Sequence, residues 1–506
     1  MSTTSDWLLA PARAQVQLLA RLRNPALHLA LLGGLTWLCY LHLALRYPLP
    51  ALVARYPLTD FAKLNGFSPS SLADFLLSIF GAFSLYLAAW RITARWPQTA
   101  RRPAARRLWP IVMVSTLVAV TLLFMYPITA TDLFDYVFHS RIFVHYGQNP
   151  LVVAPSVFTG DSFYRFVTWR SQPTPYGALW VLLTAPGTYL AGNDLILNLY
   201  AMKLAMMAAH LGTTLLVWAI LGRTQPGHQM AGTLLFAWNP LVLFETAGNG
   251  HNDMLMMFFT LLAVYLLVRK KWLWVLPALL VAVLVKYAVV LLVLPFLIYC
   301  LKAQNGWRNR LRFLGLTVAV CLPLLVVVAP FYWAIPRGLV HETDFYSLLA
   351  APTLVFNFVK FSLGVEKARA VTVAASLAAY APVYVFSLRR VAGGVASPQR
   401  LAIWSAGLVA AYLALACVQF QPWFVMWPIA LGIWIDHTLT RRLLLAFTAA
   451  ALASYGANFF WNWNVHNWQN FQVNAMFVAV IFAPPLVVWL HAVATRNKPG
   501  LIRAAI

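Results

Sequence analysis

A polytopic, all-α membrane protein is the fold class this sequence predicts, and three observations carry the prediction. The 506-residue chain is 61% hydrophobic and only 10% charged, and its mean hydropathy is +0.72, well outside the average for soluble domains. Many of its apolar runs approach the roughly 20 residues that cross a bilayer as a helix, whereas a membrane barrel would show short alternating segments. Its four cysteines (Cys39, Cys300, Cys321 and Cys417) all lie in apolar runs, where free thiols behave as small hydrophobes, so neither disulfides nor a cysteine metal cluster is expected.

The first apolar run, residues 27–46, lacks a small-residue cleavage site and reads as a first spanning helix rather than a removable leader. Lys and Arg favour cytoplasmic loops, so the chain can be threaded from its charges. "RITARWPQTARRPAARR" (91–107) anchors the inside. The runs at 27–46, 72–90 and 109–127 then cross in turn, and residue 129 emerges outside. Further inside anchors are Arg223, "RKK" at 269–271, the basic stretch 302–312, Arg389 with Arg390, Arg400, Arg441 with Arg442, and the tail. All are satisfied if two segments, 177–192 and 346–363, are re-entrant or interfacial on the outer face. Segment 273–301, with Lys286 at its centre, then folds as a hairpin of two short helices. About 12–14 spanning helices result, within one membrane domain over 1–506, whose residues 431–506 form C-terminal transmembrane helices. The net charge of +24 sits in short loops and is read as topology signal, with no nucleic acid partner.

The threading places eleven of the thirteen acids on or near the outer face, leaving Asp6 and Asp436 inside. Acidic residues contribute little to the positive-inside rule, so this asymmetry is independent of it. The outer face therefore concentrates the polar chemistry.

Four outer segments carry candidate functional residues. In "TATDLFDYVFHSRIFVHYGQNP" (129–150), Asp132 and Asp135 are three apart and share one helical face, with Tyr136 beside Asp132. A carboxylate base above the bilayer and acids capping a helix start both fit that spacing. Arg141, His145 and Asn149 follow in what reads as a structured loop. "WNPLVLFETAGNGHNDMLMMFF" (238–259) turns at its glycines and re-enters with His251, Asn252 and Asp253 at a helix start, where Asp253 is placed either to cap the helix or to serve a ligand. His251 has no partner His four residues away, and neither HExxH nor DxD occurs, so no metal-ligand set is assigned. Lys286 in "LVAVLVKYAVVLL" is costly in an apolar hairpin unless it snorkels, pairs or meets a ligand such as a lipid phosphate. The Trp- and Asn-rich turn "WNWNVHNWQN" (461–470), with Trp463 and His466, fits either an interfacial aromatic belt or stacking against a sugar.

Together these motifs resemble the C-type glycosyltransferase superfamily and, within it, bacterial polyprenyl-phosphate-mannose-dependent mannosyltransferases. The similarity covers about residues 109–430. It rests on "DLFDYVFHSRIFVHYGQNPLVVAP", "TPYGALW" (174–180), "WNPLVLFETAGNGHND", Lys286 with Tyr287, and "QPWFVMW" (421–427). Leu151 stands where the family pattern has Tyr, and Ala178 where it has Pro. The resemblance implies a C-type architecture and a catalytic base at Asp132, with Asp135 ranked second. It carries Asp253 over as a site residue of unsettled role.

The expected function is transfer of mannose or another hexose from a polyprenyl-phosphate donor to a glycan or glycolipid acceptor, with inversion, by a multi-pass plasma-membrane protein whose site faces outward. Lys286, Tyr287, Arg141 and Arg170 would meet the donor phosphate and lipid. Tyr136, Asn149, Tyr176, His251, Asn252, Asp253, Trp423, Trp463 and His466 would bind substrate. No cofactor is required by this reading, although the carboxylate pair leaves open a divalent cation such as Mg or Mn. The rival reading is a flippase or secondary transporter of lipid-linked sugars, which should place ionisable groups near the midplane and show repeated halves.

Overall fold

The computed structural model describes residues 25–56, 59, 61–66, 68–96, 104–333, 346–394, 397–464 and 470–496. Helices form its regular structure, and no strand occurs among the described residues. Among the described residues six helices are long and apolar enough to cross a membrane: Pro25–Arg46, Pro69–Arg95, Leu195–Thr224, Trp307–Tyr332, Val365–Gly394 and Asn470–Thr495. Shorter apolar helices accompany them.

In chain order, the first half contains α1 (Pro25–Arg46), α2 (Leu49–Arg55), α3 (Phe61–Leu64), α4 (Pro69–Arg95), α5 (Ala104–Leu123), α6 (Asp132–Val144), α7 (Ala178–Ala191) and α8 (Leu195–Thr224). A central stretch follows with α9 (Gln229–Ala237), α10 (Pro240–Leu243), a π-helical turn at Phe244–Gly248 and α11 (Asp253–Val268). Every residue from 229 to 254 is buried, so this is the core against which the longer helices pack. Lipid cannot hydrogen-bond an open backbone, and such an interrupted segment is stable at membrane depth only when other helices enclose it.

Next come α12 (Val275–Val285) and α13 (Val290–Lys302). They are separated by Lys286, whose extended backbone (φ −151°, ψ 123°) ends α12. Trp272 and Tyr299, near the two outer ends of this unit, approach to 6.3 Å between rings, which is the expected hairpin. The second half is α14 (Trp307–Tyr332), α15 (Pro352–Leu363), α16 (Val365–Gly394), α17 (Pro398–Leu415), α18 (Met426–Gly432), α19 (Thr438–Asn464) and α20 (Asn470–Arg496). On α14 and α20, Leu, Val and Trp side chains stand exposed in number, as helices facing lipid require.

The two segments expected not to cross fold as short helices. The 14-residue α7 contains Pro186 and ends at Gly192, where φ is +55°. At 1.5 Å per residue it reaches about 21 Å, short of a hydrocarbon core of roughly 30 Å. The 12-residue α15 is shorter still.

The approach to α6 is clamped from two sides. Leu49 N–H donates to the Phe124 carbonyl and Tyr126 N–H to the Tyr47 carbonyl, both at 2.8 Å. From α8, the fully buried Lys203 donates to the carbonyls of Leu122 (3.0 Å), Leu123 (3.2 Å) and Met125 (2.5 Å). These carbonyls lie at and just beyond the C-terminal end of α5, where the backbone has acceptors without intrahelical partners and the helix dipole favours a cation. Gly250 closes the same corner. Its φ is +76°, and a Cβ there would come within 2.7 Å of Leu133 and 3.4 Å of Lys203.

Replacing Lys203 with Met should therefore leave three buried carbonyls without their donor and cost on the order of 2 kcal/mol or more. The thermal unfolding midpoint of the detergent-solubilised variant should fall clearly below that of the parent, and an unchanged midpoint would remove the clamp from this account.

Candidate active site

Four chain segments converge on a cleft of about 330 Å³ beside α6. Its lining includes Asp132, Asp135, Tyr136 and His139 from α6, Tyr176 from the following loop, Lys286 and Tyr287 from the hairpin tip, and Trp423, Phe424 and Trp427 from 421–427. Gln172 and Gln421 also line it.

The α6 helix starts at Thr131, which makes no side-chain cap bond; its hydroxyl instead meets that of Thr168 at 2.7 Å. Both acids lie in the first turn, but their environments separate them. Asp135 is 2% exposed, and its Oδ1 accepts the backbone N–H groups of Thr168 (3.1 Å) and Trp169 (2.9 Å). Burial pushes its pKa up to about 8, with the neighbouring Asp132 charge adding to the rise and the two amides opposing it. Asp132 keeps 21% of its side-chain surface open. Burial raises its pKa too, opposed by the charges of His251 and Lys286 and aided by Asp253 and Glu245.

Behind Asp132 lies a polar column reached from distant parts of the chain. Asp132 Oδ2 is 3.9 Å from His251 Nδ1, and His251 Nε2 is 3.1 Å from Glu245 Oε2. Glu245 also accepts from Asn249 Nδ2 at 2.9 Å and from the Tyr455 hydroxyl of α19. The His251 ring stacks on Trp423 at 4.0 Å, 17° from parallel, and Tyr136 Oη lies 3.5 Å from its Nδ1. A carboxylate on one ring nitrogen and a flat aromatic face fix the imidazole's direction toward Asp132.

The opposite wall is cationic. Lys286 Nζ donates to Asp253 Oδ1 at 2.8 Å and lies 3.5 Å from Asn252 Oδ1. Its ammonium also sits 4.7 Å from the ring centre of Phe424, 5.4 Å from Tyr176 and 5.5 Å from Trp427. The Trp427 indole donates to the same Asp253 oxygen at 2.5 Å. Asp253 thus pairs with Lys286 rather than capping α11, whose N-cap, Asn252, makes no side-chain cap bond. Gly177 presses this wall into place: its N–H donates to the Val285 carbonyl at 3.1 Å, and a Cβ there would overlap the Leu284 carbonyl at 2.0 Å.

Several residues expected at the site stand elsewhere. Arg141 is held by Asp161 at 2.5 Å and lies over Phe163. Tyr146 donates to the same Asp161. These bonds and the Phe163 N–H outweigh burial and lower the pKa of Asp161. Arg170 donates to the Val167 carbonyl and lies over Tyr164. Neither arginine lines the cleft, so the donor-phosphate role expected for both is not supported by their placement; both brace the loop after α6. Asn149 is likewise structural, donating to the Phe331 carbonyl and accepting from Leu151 N–H. His251, Asn252 and Asp253 form the layer behind the cleft. His466 and the side chain of Trp463 lie outside the described residues.

The sequence reading did not single out Glu245, Tyr455, Trp427 or His139 as site residues. His139 is buried on the cleft wall, and burial lowers its pKa to about 4, leaving it neutral. No group of three or more His, Cys, Asp or Glu side chains suited to a metal ion occurs among the described residues. The two carboxylates that left room for a divalent cation are committed differently, Asp135 to backbone amides and Asp132 toward His251.

Residues 51–303 match the family described as "Alpha-(1->6)-mannopyranosyltransferase, N-terminal domain". The chain is 28% identical over 246 residues to "Alpha-(1->6)-mannopyranosyltransferase A" of Mycobacterium tuberculosis, covering 47% of this chain and 46% of that one. It is 25% identical over 220 residues to the protein of the same name from Corynebacterium glutamicum, covering 42% of each. A "Probable alpha-(1->6)-mannopyranosyltransferase" of Mycolicibacterium smegmatis is 26% identical over 211 residues, covering 40% of this chain and 36% of the relative. The chain spans about half the length of these relatives or less. The matched family segment carries α6, the Glu245–His251 column and the Lys286–Asp253 wall, and over that half of its length the chain belongs to the alpha-(1→6)-mannopyranosyltransferase family.

Proposed function

We propose that this protein transfers a mannosyl group from a polyprenyl-phosphate donor to a hydroxyl of a glycan or glycolipid acceptor, at the outer face of the plasma membrane and with inversion. The observation that carries the reading is the pairing of a partly open carboxylate, Asp132, with an ammonium group caged by aromatic rings, Lys286, on one cleft.

In a single displacement the acceptor oxygen bonds to the anomeric carbon as the bond from that carbon to the phosphate oxygen breaks. The electron pair leaves on the phosphate, and the acceptor's proton goes to Asp132. A carboxylate raised above its ordinary pKa is a stronger base, which suits proton removal near neutral pH. Lys286, donating to Asp253 and at 3.5 Å to Asn252, keeps its third N–H to meet the charge that grows on the phosphate, in a site of low polarity where that contact is worth most. Tyr176 and Trp423 offer flat faces to a pyranose, and Gln172 and Gln421 offer hydroxyl partners. The relatives' names specify an alpha-(1→6) product. Inversion yields that product from a β-linked donor and a primary hydroxyl.

The outer-face assignment is supported by the distribution of basic residues. Arg91 and Arg95 end α4, and Arg441 and Arg442 begin α19. Tyr455, which bonds to Glu245 in the site, lies on α19 about 21 Å further along at 1.5 Å per residue. The basic end therefore points away from the cleft, and basic ends face the cytoplasm.

Asp132→Asn should fold normally and lose about 10²- to 10⁴-fold in the rate of mannosyl transfer, followed by mass spectrometry of the donor and product with purified protein. Transfer at the parental rate would reject Asp132 as the base, and uptake of lipid-linked sugar into vesicles without covalent product would favour a transporter.

Asp135 should behave as a structural acid. Its folded pKa of about 8 exceeds the ordinary 3.8, so the folded state holds the proton between those values. Its contribution to stability is fully present below pH 3.8 and is lost as pH rises through 8. Asp135→Asn, which mimics the neutral acid, should keep transfer activity and flatten the decline in thermal stability between pH 6 and 9 expected of the parent. An abolished activity in a variant of parental stability would place Asp135 in the chemistry instead.

A further inference from the structure

A second pocket lies at the other end of the molecule. About 470 Å³ in volume, it opens between the C-terminal end of α4 and the N-terminal end of α19. Four guanidinium groups line it, those of Arg91, Arg95, Arg441 and Arg442, together with the apolar walls of Trp90 and Leu445. Nothing in the proposed transfer reaction uses it.

The charges there are unevenly matched. Asp436 pairs with Arg441 at 2.9 Å, and among the described residues Arg91, Arg95 and Arg442 have no ion-pair partner. Arg441 also has an aromatic neighbour: its guanidinium lies 5.1 Å from the centre of the Trp90 ring, and its side chain is 14% exposed while that of Asp436 is 55% exposed. A cation between a carboxylate and an indole has fewer orientations open to it, and this one lines the cavity that the other three arginines share. The N-terminal end of a long helix, α19, adds the positive end of a dipole at the same place.

Like charges brought together in one pocket repel unless an anion occupies it. Guanidinium forks match the oxygens of a phosphate in pairs, which separates this arrangement from a scatter of lysines in a loop. The position selects among phosphate-bearing ligands. The pocket lies where two apolar helices end, with an indole of the kind that settles at the membrane interface and a leucine continuing toward the hydrocarbon. Basic pockets between transmembrane helices are recognised sites for anionic lipid headgroups.

We propose that the pocket between α4 and α19 binds the phosphate of an anionic phospholipid, with the guanidiniums on the headgroup and Trp90 and Leu445 against the start of its acyl chains. It would tie the first-half helix α4 to α19, the helix that delivers Tyr455 to Glu245.

The test is lipid titration of the purified full-length protein in detergent, read by native mass spectrometry, with phosphatidylglycerol, phosphatidylcholine and inorganic phosphate as separate probes. Phosphatidylglycerol should be retained in preference to phosphatidylcholine, and Arg91→Gln/Arg95→Gln/Arg442→Gln should weaken that retention roughly tenfold or more. A matched variant, Lys270→Gln/Lys271→Gln/Arg312→Gln, removes equal charge from another basic pocket and should leave it unchanged. The milder Arg95→Gln/Arg442→Gln should weaken retention in part and keeps the test available if the triple variant fails to fold. Equal losses in the triple and matched variants would reduce the effect to bulk charge and overturn the proposal. Equal retention of the two lipids would overturn it, and so would displacement of the lipid by millimolar inorganic phosphate.

Discussion

The contact between Lys286 Nζ and Asp253 Oδ1, 2.8 Å long, is the interaction on which the cleft depends. A lysine at the broken tip of an apolar hairpin cannot remain there alone, and a carboxylate buried at the start of α11 cannot either. Each makes the other tolerable, and Trp427 shares the carboxylate. Three stretches of chain, 251–253, 286–287 and 421–427, are thereby drawn to one point. Removing either charge would leave its partner buried and unpaired, which is why the pair is more than an ornament of the site. The aromatic rings around the ammonium keep water from it while leaving one side toward the cavity.

A second division of labour follows from the surroundings of the two α6 acids. They occupy equivalent places in the first turn of one helix, yet Asp135 is sealed under two backbone amides while Asp132 looks into the cleft with His251 behind it. Environment rather than residue type separates the acid proposed as structural from the one proposed as the base. The column Asp132–His251–Glu245–Tyr455 also joins α6, the π-helical turn and α19, so the orientation of the proposed base depends on packing across most of the chain. Lys203 contributes from α8 by holding the carbonyls that precede α6. The site is thus built on helices braced against one another rather than on a mobile loop, as accurate placement of reacting groups requires.

Much of this was legible in the sequence. Apolar runs and basic loops gave the helical membrane class, and a lone lysine in "LVAVLVKYAVVLL" marked the hairpin break because such a charge is costly unless it has a task. The grouping of His251, Asn252 and Asp253 beside a glycine turn also pointed to the site. What escaped the reading were pairings between residues far apart in the chain. Tyr455 meets Glu245 across 210 positions, and no local pattern encodes that. Lys203 carried the same signal as Lys286, an ammonium within an apolar helix, and its role as a cap became visible once α5 was seen to end beside it. Arg141 and Arg170 stand outside the cleft, and their contacts were illegible for a related reason: a basic residue near a candidate site is attractive as a phosphate ligand until a nearer acid, here Asp161, or an aromatic ring is found beside it.

The account is tested most directly by a structure of the protein with an unreactive polyprenyl-phosphate-sugar analogue bound. The phosphate should lie within ion-pairing reach of Lys286 Nζ, bounded by Tyr176 and Phe424, with the anomeric carbon turned toward the side on which Asp132 stands. A phosphate bound instead at Arg141 or Arg170, with Lys286 still engaged by Asp253 alone, would contradict it.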